Sequence, residues 1–429
     1  MNFAGEADTV DRHVLMVTSS GECLFSRNYG HGPNLDVATL SSLLQQLGGF
    51  QAYYANISRN QFSNDTARVD GRDVGLGAAM PSPAILARIA SEANITGNAV
   101  QLEASDFSAI SILNARFVAK QLASYTLILS SPRDDGLHLC ARQLHEVESS
   151  LTFLLGPPNK WRRTVFSLDG FEDVFERSVL GVVSQPDLLV GGVSKTPVAT
   201  EVTERVDLAL ASLENDNTTL GSLVLLGDSV LHSRVNAEET RQVANLCSLR
   251  PLKNSQKVRI TPVYSEGQWK SLVVLALRWH TLCLLVTIDT ALMSVLPKMT
   301  QFEQMWEYML SQTPIPTSVV SFSMSEVLGL DLIAFVLHDR VRCKTIAPPL
   351  RDDPSRVLHT ATLVWFMRAA QEAFYQSKLS TVQLTKAHYK FFAVCDDNYQ
   401  VFILGGKAVP SDRLEVEASR IVSFFKVLL

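Results

Sequence analysis

The sequence predicts an α+β protein: three small antiparallel sheets, each packed with helices, with a largely helical bridge between the first and second. Three observations lead there. The stretch "VLMVTSSGECLFSR" (14–27) is an apolar run, a tight break and a second run, and "SLVLLGDSVLHSR" (222–234) repeats that shape with the same Ser-Arg ending. After each hairpin the same order recurs: helix, further strands, closing helix. Strands that run in hairpins, with helices grouped before and after them, indicate α+β and not a parallel βαβ sheet. At 429 residues, with 46% hydrophobic and 19% charged content, the chain is long enough for about three cores at roughly 150 residues each.

The first unit spans 1–157. Its hairpin leads into "DVATLSSLLQQLGG" (36–49), where Val37, Leu40, Leu43, Leu44 and Leu47 share one helical face ahead of Gly48-Gly49. Ala38, Ser41, Ser42 and Gln45 fall on the opposite face. They are small or neutral, where a merely solvated face would carry Lys and Glu, so this side is a candidate partner surface. A strand "FQAYYANI" follows, and then residues 58–115 turn rich in Asn, Asp, Gly and Ser and read as an insertion with a flexible tip. "RFVAKQLASYTLILSS" (116–131) gives two strands about a Ser-Tyr turn, and "GLHLCARQLHEVESSLTFLLG" a closing helix before Pro157-Pro158.

Residues 158–217 form the bridge, largely helical by pattern. The second unit, 218–313, opens with the hairpin at 221–234 and a helix in which Asn236 caps and Glu239 reaches back. "ITPVYSE", "WKSLVVLALRW" and "TLCLLVTI" read as strands and "LPKMTQFEQMWEYMLSQ" as the closing helix. The third unit, 314–429, reads as a strand, an "HDR" turn (338–340), a strand, and a long helix with Asp353 as cap and Pro354 at its first position. The stretch Leu363 to Ala370 of that helix is apolar on nearly every side, so more than one face is expected to be covered. Three short strands follow, and a last helix puts Leu414, Ala418, Ile421, Val422, Phe425 and Leu429 on one stripe. Runs such as "LVVLALRWHTLCLLV" exceed what units of this size cover alone, so a partner is expected to complete them.

Chemistry is sparse. No phosphate-binding glycine loop, zinc-protease helix or nucleophile elbow occurs in the sequence, and no catalytic residue is expected. "HDR", "GDS" (227–229) and Gly405-Gly406-Lys407 read as turns or loops. His138 and His145 lie two helical turns apart with Cys140 off their line, too far apart to share a metal. The six cysteines show no C-x-x-C spacing and read as small core residues, so neither a metal nor a cofactor is expected. Lys160, Trp161, Arg162 and Arg163 are the most distinctive charged cluster. A solvated segment accounts for it, but Arg beside Trp is also an interface composition. With 43 acidic against 38 basic residues and no long charge run, nothing marks a nucleic-acid surface, and at most peripheral membrane contact is expected. The start lacks a secretory signal and no run spans a bilayer, so the chain reads as cytoplasmic, and the sequons at Asn56, Asn64, Asn94 and Asn217 as chance.

Triplicated units of this order resemble longin domains. "HVLMVTSSGECLFSR", "ITPVYSEGQWKSLVVLALRWHTLCLLV", "EVLGLDLIAFVLHDRVRCKTIAP" and the closing "ILGG…FFKVLL" resemble, in the right order, stretches of the Fuzzy family of planar-cell-polarity effectors, triple-longin subunits of Rab exchange factors. The long polar insertion departs from that pattern. The resemblance implies a heterodimer with an Inturned-like triple-longin subunit, guanine-nucleotide exchange on a Rab-family small GTPase, and a role in planar cell polarity and cilium assembly at the ciliary base or cytoskeleton. It also implies a WD-repeat planar-polarity effector as a further partner. Exchange needs no nucleophile or base, since tighter binding of the nucleotide-free GTPase lowers the barrier to release. A longin-type trafficking adaptor without exchange activity is the alternative.

Overall fold

The computed structural model describes residues 12–18, 23–29, 107–112, 115–132, 135–161, 171–215, 218–252, 256–317, 332–347, 356–386 and 388–426. The chain divides into two compact units, 1–144 with 162–168, and 145–161 with 169–429. No helix among the described residues is long and apolar enough to cross a membrane.

The first unit holds strands β1 (Arg12–Thr18), β2 (Cys23–Tyr29), β3 (Phe107–Ile112), β4 (Ala115–Leu122) and β5 (Tyr125–Pro132), in the order β2-β1-β5-β4-β3. Every pairing is antiparallel. The expected hairpin at 14–27 is β1 with β2. The insertion expected over 58–115 reaches too far, because Phe107–Ile112 is a strand that pairs with β4 from Phe107 opposite Lys120 to Ile112 opposite Ala115. Its "FSAISI" is six residues with serine at two positions, too short and polar to stand out from the text before it. The turn expected at Ser124-Tyr125 is Ala123-Ser124, since Tyr125 already pairs with Leu122 and Ala123 takes the left-handed conformation at φ 45°. Arg12 and Asp135 form a buried ion pair in this unit, and Arg116 donates to the Asp135 carbonyl. The helix expected at 36–49, with Ala38, Ser41, Ser42 and Gln45, and the strand after it lie outside the described residues, as do the asparagines of all four sequons.

Helix α1 (Leu137–Leu155) closes the first repeat, and the boundary between the units falls within it. It ends as expected before the two prolines: Gly156 adopts φ 79° and its N–H returns to the Thr152 carbonyl at 2.8 Å, a left-handed glycine stop. The bridge is helical in α2 (Phe171–Glu176), which runs into a π turn at Arg177–Gly181, in α3 (Pro186–Val190) and in α4 (Thr200–Ala211). It also contains a short strand the sequence reading missed, β6 (Val193–Ser194).

The second sheet comprises β7 (Thr219–Leu226), β8 (Ser229–Ser233), β9 (Val258–Ser265), β10 (Gln268–Ala276) and β11 (Thr281–Thr287), ordered β8-β7-β11-β10-β9. Helix α5 (Ala237–Leu249) follows the hairpin and α6 (Leu292–Gln312) closes the repeat. The Asn236 cap is formed. Its Oδ1 accepts from the Glu239 N–H at 2.8 Å, and Glu239 returns to the side-chain amide of Asn236 at 2.9 Å, whereas a capping box uses the backbone N–H. The continuous apolar runs of β10 and β11 are covered on both faces by the chain itself. Val273, Leu275, Leu282 and Leu284 pack with α4 and α6, while Leu272, Val274, Cys283 and Leu285 pack with α5 and Phe153 of α1. These runs therefore need no partner to bury them, contrary to the sequence reading, because helices of the bridge and of α1 supply the second face.

The third sheet has β12 (Leu332–Asp339), β13 (Lys344–Ile346), β14 (Thr381–Lys386), β15 (Tyr389–Cys395) and β16 (Tyr399–Gly406), with helices α7 (Arg356–Gln376) and α8 (Ser411–Phe425). Its order is β14-β15-β16-β12-β13-β6. Set aside β6, and all three sheets share one arrangement: second strand, first, fifth, fourth, third. The fold is thus mixed α+β, with small antiparallel sheets packed with helices. His338 and Asp339 end β12, so the expected "HDR" turn is displaced to Arg340–Cys343, nucleated by Asp339 Oδ1 accepting from the N–H groups of Val341 and Arg342 at 2.9 and 2.8 Å. Gly405 and Gly406 end β16 and are not in a loop. On α7, Leu363, Val364, Phe366, Met367, Ala370 and Phe374 are buried, but Trp365 is 36% exposed. The covered surface is one broad face set against the sheet and the bridge. The Asp353-Pro354 cap and Leu429 lie outside the described residues, while Leu414, Ala418, Ile421 and Phe425 are buried as expected.

Strand β6 lies between two hairpins. Val193 and Lys195 donate their N–H groups to Cys343 and Thr345 of the third repeat, both at 2.8 Å, and the Thr196 N–H donates to Val230 of β8 at 2.9 Å. Ser194 Oγ meets Ser229 Oγ at 2.8 Å, and Lys195 Nζ donates to the Leu231 carbonyl. Both pairings are parallel, and they occupy the hairpin edges of the second and third sheets.

Candidate functional site

Of the residues the sequence singled out, Lys160 is exposed at the end of a short 3-10 turn, Pro158–Lys160. Trp161 is not a surface residue: it is 5% exposed, and its indole Nε1 donates to the Gly156 carbonyl at 2.7 Å. The tight glycine stop turns the chain back so that the indole tucks beneath the end of α1. Arg162 and Arg163 lie outside the described residues. His138 is half-buried, with burial and the neighbouring Arg142 cation holding its imidazole down at about 4, while His145 is exposed near Glu148. Cys140 is buried with its thiol 3.1 Å from Ser131 Oγ, and burial pushes it up to about 11. Among the described residues no group of three or more His, Cys, Asp and Glu side chains could hold a metal.

A dense polar cluster lies where the second half of α1 meets α5. Arg241 pairs with Glu146 and, at 2.6 and 2.8 Å, with both carboxylate oxygens of Glu238. Asn245 donates to Glu146 Oε1 at 3.0 Å, and Gln242 donates to Ser149 Oγ at 2.8 Å. Beside this network Glu146, Ser150, Arg177, Ser178, Leu188, Asn245 and Leu249 line a crevice of about 10 Å³, room for no more than a single water. Ligand pockets run from about 300 Å³ upward, and the crevice's carboxylate is already paired. The cluster is a helix-to-helix seam. Sequence reasoning missed it because its members are ninety-five residues apart at Glu146 and Arg241.

Among the described residues, two exposed tryptophans carry a cation against the ring. Trp279, at the β10–β11 turn, is 50% exposed with the Arg278 guanidinium 5.3 Å from its ring centroid. Lys386 Nζ, at the end of β14, stands 4.0 Å over the ring of Trp365 on α7. Exposed tryptophan with a cation against it is the composition of interface anchors. His280, at the same turn as Trp279, is by contrast a core group. It accepts from the Trp306 indole at 3.4 Å through Nδ1 and bonds the Pro316 carbonyl at 2.8 Å through Nε2, and burial lowers its pKa.

No protein-family model matches the chain, and no curated protein matches it.

Proposed function

We propose that this chain is a Fuzzy-type subunit of a heterodimeric guanine-nucleotide exchange factor, paired with an Inturned-like triple-longin subunit and acting on a Rab-family GTPase in planar cell polarity and cilium assembly. The observation that carries the proposal is the single strand order repeated in all three sheets, each with helices packed on it, which is what a triple-longin subunit would require. Exposed tryptophans with cations against them offer contact surface of the right composition. The site of action on this reading is the cytoplasm, at the ciliary base or cytoskeleton, with a WD-repeat polarity effector as a further partner.

The test is release of labelled GDP from a panel of Rab proteins by this chain, by the Inturned-like partner and by the co-expressed pair. Acceleration by the pair alone, on one or a few Rab proteins, is the expected result. Rab binding that is indifferent to nucleotide state, without accelerated release, would replace exchange with the adaptor reading. Ala38→Arg with Ser42→Arg is expected to abolish co-purification of the partner; wild-type yield would move the interface away from Ala38, Ser41, Ser42 and Gln45.

A further inference from the structure

Cys247, in the last turn of α5, and Cys283, in the middle of β11, bring their sulfurs to 3.6 Å. The two differ in access. Cys283 is fully buried, whereas Cys247 is only partly covered. Arg259 of β9 lies close enough to bias both thiols electrostatically. Its Nη1 donates to the Arg250 carbonyl, while its Nε and Nη2 are buried without a hydrogen-bond partner. A buried guanidinium with idle N–H groups favours negative charge nearby.

We propose that Cys247 and Cys283 are a reversible dithiol–disulfide site, with Cys247 the attacking and Cys283 the resolving sulfur, oxidised by hydroperoxides. The charges facing the pair support that division. The hydrogen bond with Cys283 holds the Cys247 thiol below its ordinary value against the upward push of burial, with Arg259 adding to the lowering and Asp228, in the β7–β8 turn, opposing it. The same bond, with burial, pushes Cys283 well up. Cys247 is therefore the one of the two that ionises more readily to the thiolate, the reactive form, and it is the less covered residue of the pair.

In the first step the Cys247 thiolate attacks a peroxide oxygen, the O–O bond breaks, and the sulfur becomes a sulfenic acid while the departing oxygen leaves as water after protonation. In the second, Cys283 attacks the Cys247 sulfur, the S–OH bond breaks, and hydroxide leaves with the Cys283 proton as water. Two thiols and one hydrogen peroxide thus give one disulfide and two waters. The sulfurs must close by about 1.6 Å to reach bonding distance, and α5 ends two residues after Cys247, where its last turn can give. A small-molecule thiol reverses the reaction by exchange.

The experiment treats the full-length chain with stoichiometric hydrogen peroxide, blocks remaining thiols and maps peptides without reduction. The expected result is loss of two of the six thiols, a linked Cys247–Cys283 peptide, and recovery of both thiols with dithiothreitol. Cys247→Ser should lose neither at the same dose, and Cys283→Ala should stop at a Cys247 sulfenic acid trapped by dimedone. Arg259→Gln should slow Cys247 alkylation several-fold at pH 7 and move its pH profile upward, a shift that a purely structural arginine would not cause. Linkage of Cys247 to another cysteine, over-oxidation of Cys247 without a cross-link, or an unreacted pair in the folded chain would each overturn the proposal.

Discussion

Arg241 and Glu146 form an ion pair with only 3% and 1% of their side chains exposed. Removing one partner of such a pair strands a charge, while removing both need cost little. Arg241→Met is therefore expected to destabilise the unit by about 3–5 kcal/mol, and Glu146→Leu added to it to recover most of the loss. Urea unfolding of the two variants against the wild type measures both numbers.

The Asn236 cap makes a finer prediction. Asn236→Ala removes the acceptor for the Glu239 N–H and should cost about 1 kcal/mol. Asn236→Asp keeps an acceptor but sets a carboxylate beside Glu239 and Glu266, which the native amide reaches at 2.9 Å each. Aspartate, ordinarily as good a cap as asparagine, should fail to restore wild-type stability here. A thermal melt in which Asn236→Asp matches the wild type at pH 7 would show that those carboxylates do not matter.

Lys195 carries a pH dependence. Burial, with Lys344 adding to it, lowers its ammonium from 10.5 to about 7. Between these values the unfolded chain holds a proton the folded chain lacks, so this group's contribution to stability rises with pH from about 7 to about 10.5. Below that window the buried cation is a constant burden. Lys195→Met should gain most over wild type at pH 6 and progressively less up to pH 10, read as the difference in denaturation midpoint.

Gly192 precedes β6 where the bridge meets the third sheet. A Cβ there would stand 2.0 Å from Thr345 Oγ1 and 2.8 Å from His338 Nδ1, two atoms that are themselves in contact at 3.1 Å. Gly192→Ala must part them or move the strand, at about 1–3 kcal/mol. Hydrogen exchange should show faster loss of protection at Lys195 and Val193, while α8 is unchanged.

The sequence carried the element order wherever strands were long and apolar. β10 and β11 were legible because both faces are buried, and α8 because its stripe recurs at helical spacing. What escaped were features that only tertiary contact defines. β6 is two residues long, and nothing in "GGVSK" announces a strand whose partners lie in two other repeats. Trp161 looked like a surface anchor among basic neighbours, because no local pattern shows that a glycine stop folds its indole inward. Cys247 and Cys283, thirty-six residues apart, were legible only as two apolar-context thiols. Distance in the chain hid the one contact that sets them apart from the other four.

The short bridge strand has a mechanical consequence. Because Val193 to Thr196 hydrogen-bonds a hairpin edge on either side, neither the second nor the third sheet can slide along its strands without dragging the other or breaking those bonds. Load applied to one is carried into its neighbour as shear through the few hydrogen bonds of Val193, Lys195 and Thr196. Occupying both edges also leaves β9 and β14 as the outer margins of this tied pair, so any further strand must add there, at opposite ends.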